Sequence, residues 1–211
     1  MAGTPSQRKL ILNDMQKLTN DKLSIRKDGT LIIVALGTEN KGKSLTSGTG
    51  LIRSINSKGV NDKTVTISIG ESGSGNYMDD GFVSESMNGI GSDAIVNYDL
   101  DSNPLIPTKD PVTGNVSDET RPNEIGLGHE LIHADRSMKG KSVDYNKVEA
   151  FTYRNKHGDI ITVNAKTDEL ETVGLKGKGK YTENKLKKEQ GLKEREHTNG
   201  KNFIVFIYYY N

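Results

Sequence analysis

One five-residue run constrains this chain more than any other feature: His129-Glu130-Leu131-Ile132-His133, an H-E-x-x-H pattern. The pattern has chemical meaning only on a helix, where residues four apart stand one turn above each other on a single face. There both imidazoles reach one metal ion and Glu130 points at the water bound to it, which are the working parts of a zinc hydrolase. The sequence therefore calls for a helix through residue 130, and for other elements arranged to complete a metal site around it.

That helix has readable ends. Asp118 or Thr120 is a candidate N-cap, Pro122 suits the first turn, and Gly140 follows the expected last residue, Met138. Upstream, Thr4-Pro5 predicts a helix start, with Ile11, Met15 and Leu18 as its apolar stripe up to Asn20-Asp21. Leu31 to Leu36 predicts a buried strand. Gly50 to Asn56 and Lys63 to Ile69 read as two β segments joined through Ser57 to Asp62 as a hairpin. Gly70 to Gly91 is an irregular excursion rich in Gly, Ser, Asn and Asp. Ala94 to Tyr98 is a strand, and Asn103 to Asp118, with its prolines, is a loop. Downstream, Val148 to Arg154 fits either helix or strand. Asp159 to Val163 is extended, Thr167 to Leu175 and Thr182 to Leu192 are helical, and Asn202 to Tyr210 is a strand.

These segments predict an α+β fold of zincin-like type: a small mixed or antiparallel sheet, a central motif helix and C-terminal helices. The 211 residues suit one domain spanning 1–211, with a β-rich part over 1–90 and a zinc-site part over 91–200. Hydrophobic residues make up only 32% of the chain, so the core should be modest and the loops many.

The composition excludes several classes. A net charge of +1 provides no overall field for nucleic acid or an anionic membrane. The basic stretch from Lys176 to Arg195 is interrupted by glutamates and reads as a solvated helix with i,i+4 pairs. No 18-residue apolar span and no signal-peptide pattern is present, so neither membrane insertion nor conventional export is expected. With no cysteine, any zinc must be held by nitrogen and oxygen.

Catalytic zinc usually has three protein ligands, so His129 and His133 need a third. His157, His197 and the cluster Asp168-Glu169-Leu170-Glu171 are candidates. A histidine six residues after the second one is excluded, because that position is Lys139. Glu169, 36 residues beyond His133 at the start of a helical turn, fits a glutamate supplied by a second helix. Glu171 points about 200° away on that helix, and Asp168 is a close rival. Asp135 and Asp144 are candidates for orienting a ligand imidazole, beside an ordinary surface role. His157 reads as a turn residue, and His197 as a candidate substrate contact.

Gly128-His129-Glu130-Leu131-Ile132-His133-Ala134, then Asp168-Glu169-Leu170-Glu171-Thr172-Val173-Gly174-Leu175, then Thr182-Glu183-Asn184 and Glu189-Gln190-Gly191-Leu192 occur in that order. Together they resemble the NleD-like effector metallopeptidases, over about Gly89 to Arg195. Asp168 stands where the family has the first of two glutamates, which favours Glu169 as the ligand. Lys187 stands where the family has an arginine, and His197-Thr198 follow Arg195 where a tyrosine is usual. The first half is more similar to the toxin ends of secreted bacterial polymorphic proteins.

The resemblance implies a zinc-dependent endopeptidase, secreted or injected as a toxin or effector. Its expected partners are a protein substrate and a cognate immunity protein or secretion machinery, and a monomer is expected. Zinc (Zn2+) would polarise the scissile carbonyl while Glu130 serves as general base. Arg195, with Tyr181 as the alternative, would stabilise the oxyanion. The competing reading is an inactive zinc-binding interaction domain; a structural site, however, has no use for Glu130.

Overall fold

The computed structural model describes residues 1–57 and 62–198. The strand expected at Asn202 to Tyr210 lies outside the described residues, as do residues 58–61 of the expected turn.

Helix α1 (Pro5–Lys17) starts as its sequence predicts. Thr4 and Gln7 form a capping box in which each side chain accepts the other's backbone N–H, at 3.3 and 2.9 Å. Ile11, Met15 and Leu18 are buried. Strands β1 (Lys22–Ile25) and β2 (Leu31–Ala35) pair antiparallel. The strand expected at Leu31 to Leu36 is present but not buried throughout: Val34 and Leu36 are exposed, because a two-stranded ribbon covers only one of its faces.

The expected hairpin after it is replaced by helix α2 (Thr46–Asn56) and strand β3 (Val65–Ile69). Leu45, Gly48, Thr49 and Ile52 are all buried, a helical spacing that starting at Gly50 conceals. The N-terminus of α2 has no cap of its own. The Glu189 carboxylate supplies one, accepting the N–H groups of Ser47 and Gly48 at 2.5 and 3.1 Å.

Two ordered elements stand inside the expected irregular stretch from 70 to 91: β4 (Tyr77–Asp80) and α3 (Val83–Met87). Among the described residues, the first 90 carry three helices beside four short strands. Strand β5 (Ala94–Tyr98) appears as expected, parallel to β3 and antiparallel to β4, giving a small mixed sheet of order β3-β5-β4. The expected loop from 103 to 118 is instead a hairpin, β6 (Leu105–Lys109) and β7 (Val116–Thr120).

Helix α4 (Asn123–Met138) carries the H-E-x-x-H run and ends at Met138 as expected. Neither Asp118 nor Thr120 caps it: both belong to β7, and Pro122 is the N-cap. Nearly every residue from Ile125 to Met138 is buried, with α1, α2, α6 and the mixed sheet packed around the helix. Strands β8 (Val148–Arg154) and β9 (Ile160–Lys166) form a hairpin leading directly into α5 (Thr167–Val173). Helix α6 (Glu183–Glu189) follows, and β10 (Glu194–Arg195) returns to pair with β6. The α+β class with a central motif helix and C-terminal helices is therefore the observed architecture. The basic stretch is not one solvated helix, since Lys187 and Arg195 are buried within it.

Candidate metal centre

On α4, His129 and His133 present their Nε2 atoms 3.2 Å apart. The first turn of α5 brings Glu169 against both, with Oε2 3.3 Å from His129 Nε2 and Oε1 3.3 Å from His133 Nε2. Two donors bound to a tetrahedral zinc at about 2.0–2.1 Å stand about 3.3–3.4 Å apart. The three observed separations therefore match one face of such a tetrahedron, and the N,N,O donor set suits zinc. No other group of this kind occurs among the described residues.

Behind each imidazole lies a carboxylate. Glu183, at the start of α6 and fully buried, places Oε2 2.8 Å from His129 Nδ1. Asp168 places Oδ2 2.9 Å from His133 Nδ1. A proton held on each Nδ1 leaves the Nε2 lone pair free for a metal. Burial would raise the Glu183 carboxyl pKa, but Arg195 first, then His129 and Arg121, hold it well below the carboxylate range. Burial would likewise depress the His133 imidazolium; hydrogen bonds to Asp168 and Glu169 outweigh this and raise its pKa to about 10.

The approach of α6 to α4 depends on Gly128. A Cβ there would lie 2.6 Å from Leu186 Cδ1, so any side chain at 128 would force the buried Leu186 side chain of α6 to shift. On the open side, His129, Glu130, His133 and Glu169 line a cavity of about 590 Å³, large enough for an extended peptide segment. Glu130 is buried at its wall.

The other candidates are placed differently. Asp168, the rival ligand, supports His133 from behind. Arg195 lines the cavity, but its nitrogens are engaged: Nη1 donates to Glu183 at 2.7 Å, Nε to the His197 carbonyl at 3.1 Å, and Nη2 to the Thr198 carbonyl. That arrangement ties Arg195 to Glu183 and to the chain at residues 197 and 198, using three of its five N–H donors. Tyr181 belongs to the core and donates to the Gly50 carbonyl at 2.9 Å; it does not line the cavity. Its ring packs inward because α6 and α2 close over it.

Asp135 pairs with Lys139, and Asp144 accepts the Asn146 N–H within a turn. His157 occupies the exposed β8–β9 turn, as expected. His197 stacks on Tyr153 at a ring-centroid distance of 4.0 Å. Glu171 faces Arg136 at 3.8 Å, away from the centre. Sequence reasoning did not single out Glu183 as an orienting group, although Thr182-Glu183-Asn184 was the signal that contained it.

The chain is similar to several solved light chains of botulinum neurotoxins. Clostridium botulinum serotype F gives a TM-score of 0.41 at 15% identity, covering 78% of this chain and 43% of that one. Serotype HA gives 0.41 at 11% identity, covering 80% and 42%. The serotype C1 light chain protease gives 0.36 at 17% identity, covering 50% and 27%. The chain thus spans less than half the length of each of these proteins. No curated protein matches it. The sequence model of a peptidase family described as effector protein (Peptidase_M91) matches residues 39–197. Because that match takes in most of the sequence and the whole of the metal centre, the chain belongs to this family of effector peptidases.

Proposed function

We propose that this protein is a zinc-dependent endopeptidase that acts as a bacterial toxin or effector, cleaving a specific protein inside a target cell. The observation that carries the proposal is the set of three ligand atoms, His129 Nε2, His133 Nε2 and a Glu169 carboxylate oxygen, spaced for one zinc ion beside Glu130 in an open cavity. When bound, zinc would supply Lewis acidity to the scissile carbonyl and acidify a water molecule.

Glu130 takes the proton from the attacking water and passes it to the leaving amine, a role that its place at the cavity wall and one-turn geometry allow. Glu183 and Asp168 hold the two imidazoles in the tautomer and orientation that ligation needs. Arg195 acts through Glu183 as a positioning residue. The protein substrate follows from peptidase chemistry. Delivery by a secretion machine, a cognate immunity protein in the producing cell, a monomeric state and one domain over 1–211 complete the proposal.

Glu130→Gln separates this reading from a zinc-binding interaction domain. The variant should retain one zinc per chain by elemental analysis and lose cleavage activity by about 100- to 10,000-fold. Comparing new protein N-termini in cells expressing the two forms would identify the substrate. If the variant is as toxic as the parent chain and generates the same N-termini, the enzymatic reading fails.

A further inference from the structure

The cavity that holds the metal centre has a second feature that the proposed mechanism does not use. Arg121 links β7 to α4 and is only 8% exposed. Among the described residues its guanidinium makes no hydrogen bond, and its Nε is fully buried without a partner. Its one ion pair is long, with Nη1 3.9 Å from Glu183 Oε2. That carboxylate is already engaged by Arg195 at 2.7 Å. One buried carboxylate therefore faces two buried arginines, and only Arg195 hydrogen-bonds to it.

Asn76 stands beside it. The Asn76 Oδ1 accepts the Asp99 N–H at 2.8 Å, which fixes the amide orientation and leaves Nδ2 as the outward donor. Nδ2 is also buried and unpartnered. The two donors stand side by side over the bare Cα of Gly126. A Cβ on Gly126 would lie 2.5 Å from Asn76 Nδ2 and 3.4 Å from both Nε and Nη2 of Arg121. Gly126 precedes Glu130 by four residues, so this spot lies one turn along the same face of α4 from the general base. Both side chains line the same cavity as the zinc ligands.

Leaving two buried donors unsatisfied is costly, so a group that satisfies them on binding gains what the free protein forgoes. An oxygen acceptor is required, and a guanidinium without a hydrogen bond selects a negatively charged one. We infer that Asn76 and Arg121 form a substrate subsite that takes the carboxylate of an aspartate or glutamate side chain at a fixed position relative to the cut bond. This subsite deepens the endopeptidase reading and rests on it for the term substrate.

Asn76→Asp tests the subsite without enlarging any side chain. It keeps the acceptor for the Asp99 N–H, and it pairs internally with Arg121, which closes the site to an incoming carboxylate. A peptide library made by digesting a proteome would be treated with zinc-loaded parent chain and with N76D, and the cut sites read by mass spectrometry. The parent chain should enrich Asp and Glu over Asn and Gln by about tenfold at one position, and N76D should lose that enrichment. Absence of acidic enrichment, or its survival in N76D, overturns the subsite.

A second arm distinguishes failure of the subsite from failure of the enzymatic reading. Thermal unfolding of Glu130→Gln is followed with N-acetyl-glutamate amide or N-acetyl-glutamine amide, with and without the Asn76 change. The glutamate probe alone should raise the midpoint, and only when Asn76 is intact. Equal shifts for the two probes, or no dependence on Asn76, reject the subsite even if no peptide is cut.

Discussion

At the scale of single residues, the metal centre depends on two carboxylates that touch no metal. Glu183→Gln keeps the side-chain volume but gives up the anion that His129 Nδ1 and Arg195 share. Zinc affinity should fall by about 10- to 100-fold, measured by competition with a chromophoric chelator. A change of less than twofold would remove Glu183 from any orienting role. His129, Glu130 and His133 were legible because helical geometry alone brings residues four apart together. Glu169 was legible through its place on a second helix. Asp168 and Glu169 needed the structure to tell ligand from support, since one residue of register decides which carboxylate faces the imidazole Nε2 atoms. Arg195 is read from the sequence as an oxyanion stabiliser; the structure adds what no local pattern records, its hydrogen bonds to Glu183 and to the carbonyls of His197 and Thr198.

At the scale of elements, Gly128 sets how closely α6 can approach α4. Gly128→Ala places a methyl group 2.6 Å from Leu186 Cδ1, inside van der Waals contact. We expect a loss of about 1–3 kcal/mol in unfolding free energy, measured by urea denaturation, together with weaker zinc binding as Glu183 retreats. A second tie joins α2 to the start of β1, where Arg53 Nε and Nη2 donate to the two Asp21 oxygens at 2.6 and 2.7 Å. Those hydrogen bonds hold the Asp21 carboxyl below its ordinary value of 3.8. A carboxyl whose pKa is lowered by folding stabilises the folded state above its unfolded pKa and loses that contribution as pH falls through the folded one. Asp21→Asn should therefore cost about 2 kcal/mol at pH 7. Its urea midpoint should converge with that of the parent chain below pH 3.8, and a constant gap across that range would contradict the assignment.

The elements themselves were read unevenly, for physical reasons. The end of α1 marked by Thr4 and the end of α4 at Met138 came from local capping and periodicity. Helix α2 was missed because its cap comes from Glu189, far along the chain. Prolines argued against β6, yet Pro107 pairs with Asp118 and its carbonyl still accepts the Glu196 N–H at 3.0 Å. Because β10 is only two residues long, it lies against Lys109 and Thr108 and asks no N–H of Pro107.

At the scale of the whole molecule, zinc should act as a cross-link between α4 and α5. Adding free zinc at about 1,000 times its dissociation constant should stabilise the fold by about 4 kcal/mol. Chelation should correspondingly lower the thermal midpoint, and re-addition should restore it. A midpoint insensitive to both would show that the centre does not bind zinc in the folded chain. The α+β class and the central helix were legible in the sequence. The strand pairing within the expected small sheet was not, because its parallel pair joins β3 to β5 past β4, and no local pattern records a strand's partner.

His129 lies 54 residues before Glu183, and Glu183 is in turn held by an arginine anchored to the carbonyls of residues 197 and 198. This arrangement gives activity an order in time. A chain leaving the ribosome exposes its paired histidines before the residues that hold them, and the support behind His129 closes only once residues 183 to 198 have followed.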